Sequence, residues 1–89
     1  MRNDDEFNRR RQRLAWDCRR GMKELDIVLQ PYAEQHFATL DRAGQEAFLD
    51  LLDAADPDLF DWFTAGVVPA DAQTAATVRR VLAALGMDR

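Results

Sequence analysis

This chain has little of what small catalytic or secreted domains rely on. Among its 89 residues there is one cysteine, Cys18, and one histidine, His36. A lone cysteine closes no internal disulfide, so nothing calls for an oxidising compartment. Zinc needs several histidines or cysteines at suitable spacing, and they are absent. No apolar run approaches the roughly 18 residues of a membrane span. The first twenty residues lack the apolar core of a secretory signal, and Asp4, Asp5 and Glu6 sit poorly in a transit peptide, which is normally poor in acids. A cytoplasmic setting is the expectation. Glycine-rich phosphate loops are missing too, so the chain has no recognised means of holding a nucleotide cofactor by itself. Asp50, Asp53, Asp56, Asp58 and Asp61 lack the spacing and the glycine of a calcium loop and read as helix caps and solvated faces.

What is present is charge, unevenly placed. Residues 1–24 carry eight basic and five acidic side chains, net +3, and the remainder four and eleven, net −7, which together make the overall −4. A basic end on an acidic body can orient a partner through its field. The run Arg9-Arg10-Arg11-Gln12-Arg13 could contact nucleic-acid phosphates, which leaves a regulatory module binding protein or RNA through this arm as the alternative reading. No aromatic side chains interleave with the basic run to stack on bases, and the body is acidic, so a solvated face or a protein-docking arm is favoured.

Strict alternation of apolar and polar residues is absent, and the periodicity is helical throughout. A first, mostly polar helix is expected from about Asp5 to Cys18. After Gly21, the positions Leu25, Val28, Leu29, Tyr32 and His36 form a second apolar stripe. Pro31 lies inside it and should kink that helix or break it in two. Asp41 is a candidate cap for a third helix bearing Ala47, Phe48, Leu51 and Leu52. Asp56 should cap a fourth, with Pro57 at its first position. There Leu59, Phe60, Trp62 and Phe63 cover about 160° at 100° per residue, which predicts that this helix is the centre of the core, ended by Gly66. A fifth, from about Asp71, presents Val78, Val81, Leu82 and Leu85 and stops at Gly86. The expected fold is all-α, a compact bundle of about five short helices forming one domain over residues 1–89, with residues 1–6 flexible and a monomer as the expected state.

One segment resists explanation by packing. In Arg19-Arg20-Gly21-Met22-Lys23-Glu24 a glycine interrupts an otherwise helical pattern, at a cost of about 0.5–1 kcal/mol relative to alanine. It should mark a turn, a positive φ, or the close approach of another molecule. Arg20 and Glu24 are four apart and could share one side of the following helix, where an exposed ion pair is worth only about 0.3–0.5 kcal/mol. Such a pair accounts for the charges but not for the glycine. Cys18, just upstream, reads as a buried small apolar residue; a thiol activated by Arg19 and Arg20 is the other option. His36, with Tyr32 and Phe37 around it, reads as a boundary or surface residue.

The run Trp16-x-Cys18-Arg19-Arg20-Gly21, the pattern Arg20-Gly21-x-x-Glu24, the following Leu25-Asp26 with Pro31-Tyr32, and the segment Asp56-Pro57-Asp58-Leu59-Phe60-Asp61-Trp62 together resemble the FAD assembly factors of succinate dehydrogenase, a small "flavinator" family of bacteria and mitochondria. The resemblance covers roughly residues 14–85. It implies an assembly chaperone, not an enzyme, that binds the flavoprotein subunit of succinate dehydrogenase, with that of fumarate reductase as a further candidate, and promotes its autocatalytic covalent flavinylation. By the same resemblance the FAD is carried by the partner and no cofactor or metal belongs to the chain. Neither a nucleic acid nor a membrane is among the implied partners. Arg20, Gly21 and Glu24 are the positions that face the partner in that family, and Arg19, Met22, Trp16, Pro31 and Tyr32 would surround them.

Overall fold

The computed structural model of the protein describes residues 4–87, and all regular structure among them is helical. The helices are α1 (Asp4–Gln12), α2 (Leu14–Asp17), α3 (Lys23–Gln35), α4 (Arg42–Leu51), α5 (Asp56–Thr64) and α6 (Ala72–Ala84), with a 3₁₀ turn at Phe37–Thr39 between α3 and α4. The bundle thus has the expected character and one more helix than expected.

The extra helix arises because the first one bends at Arg13. The Arg13 N–H is shared between the carbonyls of Arg9 and Arg10, both at 3.2 Å, and the ladder resumes with Asp17 N–H to Arg13 O at 2.8 Å. The two halves have different neighbours, α1 lying on α4 and α2 on α3, so one straight axis cannot serve both. Of residues 1–6, the first three lie outside the described residues and Asp4–Glu6 form the first turn of α1.

α1 has one buried side chain, Phe7. The Arg42 guanidinium lies 3.8 Å from the Phe7 ring centre, and Arg42 also meets Asp4 at 3.0 Å. Arg10 reaches Asp50 in the last turn of α4 at 2.9 Å and Asp53, just past that helix, at 3.4 Å. One aromatic anchor and its cationic clamps therefore hold a polar helix that could not dock through an apolar stripe.

The centre of the core is α3, not α5. Leu25, Val28, Leu29 and Tyr32 are all buried, and α3 packs against α2, the 3₁₀ turn, α5 and α6. In α5 only Leu59 and Phe63 are buried, while Phe60 and Trp62 stay half-exposed, so the wide apolar arc read from the sequence is only partly covered. α3 also runs through Pro31 without a break. Proline costs a helix interior about 3 kcal/mol, whereas each buried side chain of this stripe returns about 1.5–3 kcal/mol, and four of them need the helix continuous. His36 ends α3 at the boundary, its ring stacked 5.3 Å from Tyr32.

Helix starts follow the sequence in two places and depart from it in a third. Asp41 accepts the Gly44 N–H at 2.8 Å, and Asp71 accepts the N–H and hydroxyl of Thr74, both at 2.9 Å, which holds its carboxyl below the usual range. At α5 the residue before the helix is Ala55; Asp56 is already helical and its side chain is engaged elsewhere. Gly66 and Gly86 follow α5 and α6 with positive φ, as helix ends should.

If Phe7 is what docks α1, Phe7→Ala should cost about 3 kcal/mol, the low end for an aromatic at the core's edge, and strip hydrogen-exchange protection from residues 4–12 while leaving α3 protected. Equal loss of protection in both helices would show that α1 is integral to the core.

Candidate functional site

The connection between α2 and α3 is a tight reversal whose centre is Gly21, with φ +75°. That left-handed conformation explains the glycine, since an L side chain there costs roughly 1–2 kcal/mol. A Cβ placed on Gly21 would meet nothing within 4 Å, so the surface over the turn is open. The backbone leaves room there for something that the chain itself does not supply.

Arg20 holds the reversal from behind. Its side chain is only 16% exposed, and its nitrogens donate to three acceptors at 2.8 Å each: Nε to Asp56 Oδ1, Nη1 to the Asp17 carbonyl, and Nη2 to the Ala54 carbonyl. Its backbone N–H donates to Asp26 Oδ1 at 2.9 Å. One residue thus ties the end of α2, the first turns of α3 and the α4–α5 connection together. The planar guanidinium suits this better than an ammonium would, because its donors are fixed in direction. Arg20 precedes α3 and points inward, so it forms no i,i+4 pair with Glu24.

Glu24, in the first turn of α3, is exposed and has no ion pair or hydrogen bond among the described residues. Arg19 and Lys23 are likewise exposed without side-chain partners. Two large apolar side chains lie open nearby in sequence, Trp16 at 69% and Ile27 at 56% exposure. Ile27 follows Glu24 by three positions and Lys23 by four, which puts all three on one face of α3. The remaining predicted positions are less available. Met22 precedes α3 half-buried against the core, its carbonyl accepting the N–H groups of Leu25 and Asp26; Pro31 is half-buried; Tyr32 is in the core, its ring 5.0 Å from that of Phe48.

Three residues that shape the site were not singled out for it from the sequence. Asp56 was read as a cap, and the 36-residue separation from Arg20 gives no sequence signal. Asp26, six positions beyond Arg20, fits no helical pairing rule. Ile27 could have been found as the one large aliphatic residue off the apolar stripe of α3.

Cys18 is fully buried where α2 meets α3. Burial, with Asp17 adding to it and Arg20 opposing, pushes its thiol up to about 12 from an ordinary value of 9.0. This is a packing residue and a poor nucleophile. Among the described residues no cluster of histidine, cysteine or carboxylate side chains could hold a metal ion, and no helix is long and apolar enough to cross a membrane.

Comparison with known proteins places these observations in a family. Residues 12–84 match the family described as the flavinator of succinate dehydrogenase. A protein of Coxiella burnetii named FAD assembly factor SdhE is 39% identical over 69 residues, which is 78% of this chain and 84% of that protein. Its namesake in Pectobacterium atrosepticum is 44% identical over 61 residues, 68% of this chain and 69% of the relative. In Aliivibrio fischeri a protein of the same name is 52% identical over 50 residues, 56% of this chain and 58% of the relative's length.

Two outcomes follow from the geometry. Asp56→Asn keeps the shape but weakens a charge-assisted bond, and should cost about 1.5 kcal/mol in urea unfolding, the lower end of the range because Asp56 is partly solvated; an unchanged midpoint would mean that the clamp contributes nothing net. For Cys18, the folded thiol holds its proton where the unfolded one releases it. Its contribution to stability is therefore intact below about pH 9 and is lost as pH rises toward about 12. Over that window wild-type stability should fall more steeply than that of Cys18→Ala.

Proposed function

The chain belongs to the succinate dehydrogenase flavinator family, and from that membership we propose that it is an assembly chaperone that binds the flavoprotein subunit of succinate dehydrogenase and promotes that subunit's own covalent attachment of FAD. Fumarate reductase, whose flavoprotein is related, is the second client in this proposal. The flavin and its reacting histidine belong to the partner. The chain supplies no catalytic group.

The observation that carries this reading is the division of labour at the turn. Arg20 is consumed internally in holding the reversal, while beside it an open glycine backbone and the unpaired carboxylate of Glu24 face solvent. A free carboxylate on a rigid turn is suited to directional bonds with donors of a partner. Gly21 lets the partner's surface come close to the backbone. Trp16, Ile27 and Arg19 supply contact area and charge around them; Met22, Pro31 and Tyr32 act through the packing that sets α3. Arg20 is in this scheme a positioning residue. Docking of such a rigid element beside the cofactor site would hold the partner's mobile parts in a near-attack geometry, an effect worth several kcal/mol, about 7–11 in the best intramolecular cases.

The rival reading, a module binding RNA through the basic run, is weakened because Arg10 is engaged with Asp50 and Asp53 and Arg13 faces Asp17 at 3.8 Å. Of the four arginines in the run, Arg9 and Arg11 are the two left without an acidic partner among the described residues.

Purified chain mixed with the FAD-loaded, non-covalent flavoprotein subunit should accelerate the appearance of flavin fluorescence on the denatured polypeptide. Glu24→Ala should keep wild-type circular dichroism and lose most of that acceleration, about tenfold or more if one charged hydrogen bond to the partner is removed. Gly21→Asn separates two roles of the glycine, because asparagine tolerates positive φ but adds a side chain: a stable, inactive variant points to close approach, a stable, active one to backbone conformation alone. No acceleration by wild type would sink the proposal.

A further inference from the structure

The described residues include five large apolar side chains left exposed, and they fall into two groups. Trp16 and Ile27 flank the Gly21 turn. Val67, Val68 and Met87 border a groove of about 440 Å³ between α5, α6 and residues 65–71, lined also by Trp62, Val78, Arg79 and Leu82. This groove lies at the C-terminal end of α5, whereas the Arg20–Asp56 contact sits at its N-terminal end, about 13 Å away for nine residues at 1.5 Å each.

The groove is built, not left over from a loose loop. The Val67 N–H donates to the Asp61 carbonyl at 3.1 Å, Pro69 is buried, and the Met87 N–H returns to the Leu82 carbonyl at 2.7 Å. The valines are thus held outward by an anchored backbone, Val68 at 74% exposure. Its side-chain polar groups are all donors. The indole N–H of Trp62 is not buried and has no partner, and the Arg79 guanidinium has no ion pair or hydrogen bond among the described residues. No carboxylate lines the groove, and α6 carries two arginines and no acid.

Apolar walls with unmatched donors ask for an apolar segment that brings an acceptor. A second copy of this chain meets that demand poorly. A twofold contact of groove on groove would place two Arg79 side chains in one apolar interface with no acid between them. We infer that this groove is a second docking surface, taking an apolar, carboxylate-bearing segment of the same flavoprotein that the Gly21 turn engages. The inference rests on the flavoprotein being the partner. Two surfaces at opposite ends of α5 would fix the orientation of the bundle on its client, which one turn cannot do, and would raise affinity by making the second contact intramolecular.

The test measures binding of the full chain to the purified, FAD-loaded, non-covalent flavoprotein subunit by titration calorimetry, with sedimentation velocity of the free chain alongside. Val68→Asp and Arg79→Glu alter exposed side chains and should leave circular dichroism and thermal midpoint unchanged. Each should weaken binding at least about tenfold, the scale of one well-placed interface contact, while Arg79→Lys retains most of the affinity. Wild-type affinity in Val68→Asp and Arg79→Glu would overturn the inference and leave the assembly function standing. Concentration-dependent dimers of wild type that vanish in Val68→Asp would overturn it in favour of a self-contact. Absence of any complex with wild type would overturn the assembly function and this inference together.

Discussion

The structure depends on one guanidinium. Arg20 is the point at which the end of α2, the turn into α3 and the α4–α5 connection meet. Three short directional bonds fix position in a way that burial of apolar area, which is non-directional, cannot. The core sets where α3 lies. Arg20 sets where the chain before α3 lies relative to it, and therefore which way the Gly21 backbone and Glu24 are presented. The candidate site in this bundle is thus built on a polar clamp set at the rim of the apolar core.

A consequence is that the two halves of the Arg-Gly-x-x-Glu pattern serve different ends. The arginine and glycine shape the chain, one by tying it and the other by permitting a positive φ, and only the glutamate is left without a partner among the described residues. The close spacing of such residues in sequence reflects the small number of positions in a reversal, and it does not imply that their side chains point the same way.

The sequence made visible what depends on neighbours within a few residues. Helical periodicity located the apolar stripes, Asp41 and Asp71 announced helix starts, and the cost of Gly21 betrayed a special backbone conformation. What stayed hidden depends on contacts between distant segments. Arg42 over Phe7, Arg10 on Asp50 and Arg20 on Asp56 join positions some three dozen residues apart, and each converts an apparently solvated charge into a structural tie. Pro31 does not break α3 for a related reason, because a local penalty is outweighed by the burial of the whole α3 face. Asp56 looked like a cap because Asp before Pro usually is one; its carboxylate was taken by a stronger, charged donor. In the chemistry of the site, the expected client came from the resemblance to a family, because no local pattern of residues encodes it.

Burial of the only thiol bears on the environment in which such a protein works. Reduced flavins surrender electrons to oxygen and release peroxide, and peroxide attacks thiolates far faster than thiols. With its proton held to about pH 12, Cys18 presents almost no thiolate at neutral pH. The thiol of this protein is in this way chemically quiet toward such an oxidant.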